Sequence, residues 1–185
     1  MDAFDSALDQ AAAIKRGDYS PAELAAMYRE RIAKLNPALN HYVLETPEIE
    51  GRTGDSNLAG VAWSVKDLIS IGGLPTTLGS AAFEDLVLPV DFFPVTQIKS
   101  SGGAILGKTN CSEFGTRPVT EYGLFGAAHN PWSLEHTTGG SSGGAAGAVA
   151  AGLCSVAHGT DGAGRRQDHD PGDHGDPRIG RSVPP

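Results

Sequence analysis

Long apolar runs are missing from this 185-residue chain: nothing approaches the roughly 18 consecutive apolar residues that a membrane span needs. The opening stretch, MDAFDSALDQ, is acidic where a secretory signal is basic. The chain is therefore expected to be soluble and cytoplasmic, with no membrane partner. Cysteine is scarce as well. Cys111 and Cys154 are the only two, and neither has a second Cys or a His at metal-ligand spacing, which excludes a disulfide framework and a zinc site. His129, His136 and His158 lack ligand spacing too, so no metal is expected. Basic residues are outnumbered, 14 Lys and Arg against 22 Asp and Glu for a net charge of −8, and they are scattered. No basic stripe is available to neutralise a row of phosphates, so nucleic acid is not an expected partner of this chain. What remains, 39% hydrophobic, suffices for one domain with a core of its own.

Helical periodicity opens the chain. Phe4, Leu8, Ala11 and Ala12 predict one apolar face, and Gly17 a C-terminal stop. In SPAEL, Ser20 can cap a second helix, Pro21 suits a first helical position, and Glu23 can close a capping box. Its face continues through Leu24, Met27, Tyr28, Ile32 and Leu35. A polar connection, ETPEIEGRTGDSN, follows. LAGVAWSVKDLISI is then nearly continuously apolar and β-branched, as in a strand covered on both sides. Beyond it, VTQIKSSGG reads as a helix end, AILGKTN as a short buried strand, HNPWSLEHTTGGSSGG as a long loop, AAGAVAAGL as a small-residue helix, and CSVAHGTDGAG as a strand running into a glycine loop. This alternation is α/β grammar.

Three features can carry chemistry: Lys66 inside the apolar strand, the serine pair in TTGGSSGG, and the loop GTDGAG. Singly each has a bland explanation, a carboxylate partner for the lysine and a mere turn for the loops. Together they form a mechanism. A serine hydroxyl is a poor nucleophile until a base takes its proton, and a lysine is that base only when neutral near pH 7. Burial among Val61, Trp63, Val65 and Leu68 would disfavour the ammonium. Ser141 could relay a proton because a hydroxyl both donates and accepts. Successive N–H groups of Gly162, Ala163 and Gly164 could meet at one point and stabilise an oxyanion.

The order of LAGVAWSVKDLISIGGLPTTLGSAAF, GGAILGKTNCSEFG, FGAAHNPW, GGSSGGAAGAVAAG and GTDGAG resembles the amidase signature family, from the SPAEL helix to Gly164. The resemblance implies an α/β core with a mixed sheet flanked by helices, and hydrolysis or transfer of an amide nitrogen by a Ser–Ser–Lys triad without metal or organic cofactor. It makes Lys66 the catalytic lysine, Ser141 the bridging serine and Ser142 its neighbour in the loop, and it implies Gly162, Ala163 and Gly164 as the oxyanion hole. A small-molecule amide substrate, and work within an amidotransferase complex or a homo-oligomer, belong to the same expectation.

The pattern lapses at one residue. The family's nucleophilic serine follows the GTDGAG-like loop, and this chain has Arg165 there, a guanidinium that stays protonated and cannot attack. Ser182 is the only serine beyond it. RRQDHDPGDHGDPRIGRSVPP has four Asp, four Arg and four Pro with little apolar surface, the bias expected of GC-rich codons read out of phase. Residues 1–164 are thus expected to be the N-terminal part of an amidase domain, truncated and inactive as written, and 165–185 a disordered, frameshift-like tail. One rival is a non-catalytic folded fragment or interaction protein. Another is a nucleotide binder, since Gly102–Thr109 fits the pattern G-x-x-x-x-G-K-[ST], although its middle reads as strand rather than as a loop opening a helix. Cys111 reads as a small packed residue, and Trp132 as an anchor for the loop preceding the serines.

Overall fold

The computed structural model describes residues 1–161 apart from Glu50 and Tyr122. The chain forms α1 (Ala7–Arg16), α2 (Pro21–Leu39), β1 (Tyr42–Ile49), β2 (Ala62–Lys66), α3 (Phe93–Ser100), β3 (Ala104–Thr109), a hairpin of β4 (His129–Asn130) and β5 (Ser133–Thr137), α4 (Gly143–Ala150) and β6 (Val156–His158). Four strands make a mixed sheet in the order β1-β3-β2-β6: β1 runs antiparallel to β3, while β2 runs parallel to both β3 and β6. This is the mixed α/β architecture expected of the sequence.

Local chemistry explains where the helices begin and end. Ser20 Oγ accepts the Glu23 N–H at 3.2 Å, and the Glu23 carboxylate accepts the Ser20 N–H at 2.7 Å, the reciprocal box that the sequence predicts at the start of α2. Gly17 ends α1 with φ 80°, a left-handed conformation glycine adopts without steric cost. At the far end of α2, Asn36 Oδ1 accepts the N–H groups of His41 and Tyr42, both at 2.8 Å, and so turns the chain into β1.

Apolar clusters cover the sheet on both sides. One gathers Leu24, Tyr28, Ile32 and Leu39 of α2 with Ala62, Leu106, Ala148 and Leu153; the other joins Val65 and Ile105 to Val95 and Ile98 of α3. β2 is therefore a doubly covered strand, as its composition implies, though it ends at Lys66 rather than continuing through the apolar run.

Two expectations for the segment before the serines are corrected: HNPWSLEHTT contains the β4–β5 hairpin rather than being loop throughout, and Trp132 is 75% exposed rather than an anchor. Two more concern the N-terminal half. The buried face of α1 is Gln10, Ala11, Ala13 and Ile14, whereas Leu8 and Phe4 are 62% and 54% exposed and Ala12 is exposed. A polar side chain sets this rotation: Gln10 Nε2 donates to Tyr28 Oη at 2.8 Å and to the carbonyl of Asp5 at 3.2 Å. Phe4 instead lies under the Arg31 guanidinium, 5.5 Å from its ring centre. The second correction concerns ETPEIEGRTGDSN, whose first half continues β1. An edge strand pairs on one side only and so tolerates Pro47 and charge, features that argue against a central strand.

Candidate active site

Lys66 closes β2, level with Thr109 of β3, and its side chain is fully buried. Its Nζ reaches four oxygens: Ser141 Oγ at 2.7 Å, Ser142 Oγ at 2.8 Å, Thr160 Oγ1 at 2.9 Å and the Thr160 carbonyl at 3.4 Å. None of these atoms carries a formal charge. Asp67, its neighbour in sequence, turns away and pairs with Lys108 at 2.5 Å. Burial accordingly drives the Lys66 pKa down from 10.5 to about 8, against the opposite pull of Cys111 and Asp161. The Cys111 thiol is itself pushed up to about 12 by burial, so at neutral pH it is uncharged, both as a counter-ion and as a nucleophile. His158, on β6, is held below its usual value by burial first and by Lys66 second.

The two serines differ in what their hydroxyls do. Ser142 Oγ donates to the Thr160 carbonyl at 2.9 Å and accepts the Thr160 N–H at 3.1 Å, so its one proton is committed. Ser141 Oγ accepts from Lys66 and has no acceptor for its own proton among the described residues. A neutral Lys66 can therefore take a proton from Ser141 and not from Ser142. The Gly140–Ser141 peptide is cis.

Backbone braces hold this loop. Ser142 occupies the N-cap of α4 but makes no side-chain cap, because its hydroxyl faces Thr160. The N–H groups of the first turn, which have no partner within the helix, are met from elsewhere: Gly143 donates to Thr120 Oγ1 at 3.1 Å and Gly144 to the Asn110 carbonyl at 3.1 Å. The Ser141 carbonyl accepts the Ser112 N–H at 3.2 Å. The serine loop is thus tied to the segment after β3 and, through Ser142, to the end of β6.

Lys66 lies within hydrogen-bond reach of both Ser141 and Ser142. Gly162, Ala163, Gly164 and Arg165, with the tail to Pro185, lie outside the described residues. Sequence reasoning missed Thr160, which supplies two of the four contacts to Lys66. It also missed Thr120, which no local pattern marks, and the Asp67–Lys108 pair, although a second charge beside Lys66 in the apolar run was a signal. The phosphate-loop reading is not favoured: Ala104–Thr109 is strand, and Lys108 is buried against Asp67 rather than presented at a loop. Among the described residues, no helix is long and apolar enough to cross a membrane.

Residues 23–165 match the family model described as Amidase. The A-type subunit of glutamyl-tRNA(Gln) amidotransferase from Acinetobacter baumannii (strain AYE) is 38% identical over 159 residues, which cover 80% of this chain and 32% of that protein. An acylamidase of Rhodococcus erythropolis is 37% identical over 171 residues, 86% of this chain and 36% of the relative. Among solved structures, 6-aminohexanoate cyclic dimer hydrolase superposes with a TM-score of 0.82 at 32% identity, covering 86% of this chain and 34% of that one. The A-type glutamyl-tRNA(Gln) amidotransferase subunit of Thermotoga maritima gives 0.76 at 29% identity, covering 85% and 34%. The chain spans about a third of the length of the curated relatives it matches.

Proposed function

This chain belongs to the amidase signature family, and on that premise we propose that it carries the base and the proton relay of a centre that breaks carboxamide C–N bonds. One observation bears most of the weight: Lys66 Nζ stands 2.7 Å from Ser141 Oγ, buried and without a carboxylate in the pair. In the proposed cycle, Ser141 passes its proton to neutral Lys66 and accepts one from an attacking hydroxyl. Protonated Lys66 then returns the proton through Ser141 to the leaving nitrogen. Ser142 positions the reacting groups by holding Thr160 against the start of α4. The Gly162–Gly164 loop would supply the oxyanion donors.

The attacking hydroxyl is the missing part, since Arg165 occupies its place in the sequence. The chain as written is accordingly proposed to be inactive. Its substrate class is that of the family, a carboxamide, and the amidotransferase relatives support work as one member of a complex as well as free hydrolysis. An unrelated interaction protein is not favoured by a family match over residues 23–165.

The test is a serine-directed fluorophosphonate, applied to this chain and to a version in which the relatives' sequence replaces everything after Gly164. The extended version is expected to label and to hydrolyse simple carboxamides, and the chain as it stands to do neither. Labelling of the present chain at Ser141 would mean that the relay serine is itself the nucleophile and would overturn the assignment.

A further inference from the structure

Two lysines are buried in neighbouring strands, and their surroundings are opposite in kind. Lys108 of β3 stands level with Val65, the residue before Lys66, so the two side chains leave the sheet on opposite faces. Lys108 Nζ contacts Asp67 Oδ1 at 2.5 Å, the Pro75 carbonyl at 2.8 Å and Thr76 Oγ1 at 2.8 Å, which uses all three N–H donors of an ammonium. The second oxygen of Asp67 accepts from the Thr77 hydroxyl at 2.5 Å and the Thr77 N–H at 3.2 Å. Both partners are within 1% of complete burial. This is a saturated ion pair, the one form in which two buried charges are tolerated.

Among the described residues, the hydrogen-bond partners of Lys66 are neutral oxygens. Yet the nearest carboxylate along the chain is the very next residue. Which lysine Asp67 faces decides which lysine has a counter-ion, and even for Lys108 burial, the larger influence, lowers the pKa against the pull of Asp67.

We propose that Lys108 is a positioning residue for the base: it draws the Asp67 carboxylate to the α3 side of the sheet, so that Lys66 keeps hydroxyl and carbonyl partners alone. The proposal rests on the reading of Lys66 as that base. The pair also fastens the chain that follows the base, because Pro75, Thr76 and Thr77 are held by it and the Leu78 N–H bonds the Asp67 carbonyl at 3.2 Å. Among the described residues, the other titratable groups that act on Lys66 or feel its charge are Cys111, His158 and Asp161. They stay unchanged in every variant below, so the comparison isolates Asp67.

The experiment follows the Lys66 side-chain Cε resonance against pH in protein labelled with carbon-13 lysine. The chain has five lysines, and Lys66→Met assigns the signal. Wild type, Lys108→Met and the double variant Asp67→Asn/Lys108→Met are compared in a stabilising osmolyte, so that a weakened variant stays folded. The Lys66 midpoint is expected to rise by about one pH unit in Lys108→Met, because the orphaned carboxylate then favours the Lys66 ammonium. In the double variant it should return to the wild-type position. An unchanged midpoint in folded Lys108→Met overturns the proposal, and so does a raised midpoint that persists in the double variant. A single variant that fails to fold where the double folds shows that Lys108 serves folding alone, and is equally fatal. A wild-type midpoint near 10.5 would instead sink the reading of Lys66 as base, whatever the variants do.

Discussion

A single methyl group added at Gly144 is expected to destabilise the chain by about 3 kcal/mol and to pull the serine loop away from Lys66. A Cβ at this position would stand 2.5 Å from the Asn110 nitrogen, 2.6 Å from the Asn110 oxygen and 2.6 Å from the His41 oxygen. All three are backbone atoms, and they are bonded to one another and to the helix: Asn110 N–H donates to the His41 carbonyl at 2.8 Å, and Gly144 N–H to the Asn110 carbonyl at 3.1 Å. No flexible side chain can give way, so in Gly144→Ala the start of α4 must retreat. Ser142, two residues earlier, retreats with it and loses its contact with Lys66, 2.8 Å long in the native chain. Urea denaturation measures the first effect; water admitted beside Lys66 relieves the desolvation that lowers its pKa, so a rise of its titration midpoint toward 10.5 measures the second. Val149→Ala, on the 42%-exposed side of the same helix, serves as the control and should cost less than about 1 kcal/mol. Equal losses in the two variants would mean that the close approach at Gly144 does not fix the loop.

Lys66→Met is expected to act in the opposite direction, stabilising the chain by about 2 kcal/mol at pH 7. The native amine is fully buried, and its pKa lies at about 8 against an ordinary 10.5. The unfolded chain therefore binds more protons than the folded one between about pH 8 and 10.5. Stability rises with pH wherever that holds. Below pH 8 the full penalty of burying an ammonium is present, and it disappears as the pH climbs to 10.5. Methionine has nearly the same shape and nothing to desolvate, so its advantage should be complete at pH 7 and shrink through that window. Loss of three hydrogen bonds to hydroxyls offsets part of the gain. Denaturation midpoints of the two proteins from pH 7 to 10.5 carry the test. A variant less stable than the native chain at pH 7, or a gap that ignores pH, is incompatible with a desolvated base. A residue whose removal stabilises the fold is retained for chemistry rather than for architecture.

Much of this was legible in the sequence because the signals are local. A Ser-Pro-x-Glu box states its own geometry within one turn of helix, and both of its hydrogen bonds are present. Lys66 stands out because charge is rare in a doubly covered strand, and the glycines around Ser141 and Ser142 advertise a loop that backbone must approach closely. What escaped depends on partners distant in sequence. The rotation of α1 is set by Gln10, which finds Tyr28 and the Asp5 carbonyl, a preference no hydrophobic period encodes. β1 was hidden because an edge strand needs neither alternation nor freedom from proline. Thr160 and Thr120 act through single hydroxyls brought in by the fold, across 94 residues in the case of Thr160 and Lys66. The opposite fates of Lys66 and Lys108 follow from which face of the sheet each leaves, and that is a matter of strand register.

The most direct measurement of the central claim is the titration of Lys66 in the unmodified chain, read at its side-chain carbon. A midpoint close to 8 is the expected result: a buried amine whose neutral form, though the minor one, is populated near physiological pH and held against Ser141. A midpoint at 10 or above would show a lysine that remains an ammonium throughout the working range, and with it the base, the relay and the proposed chemistry would fall together.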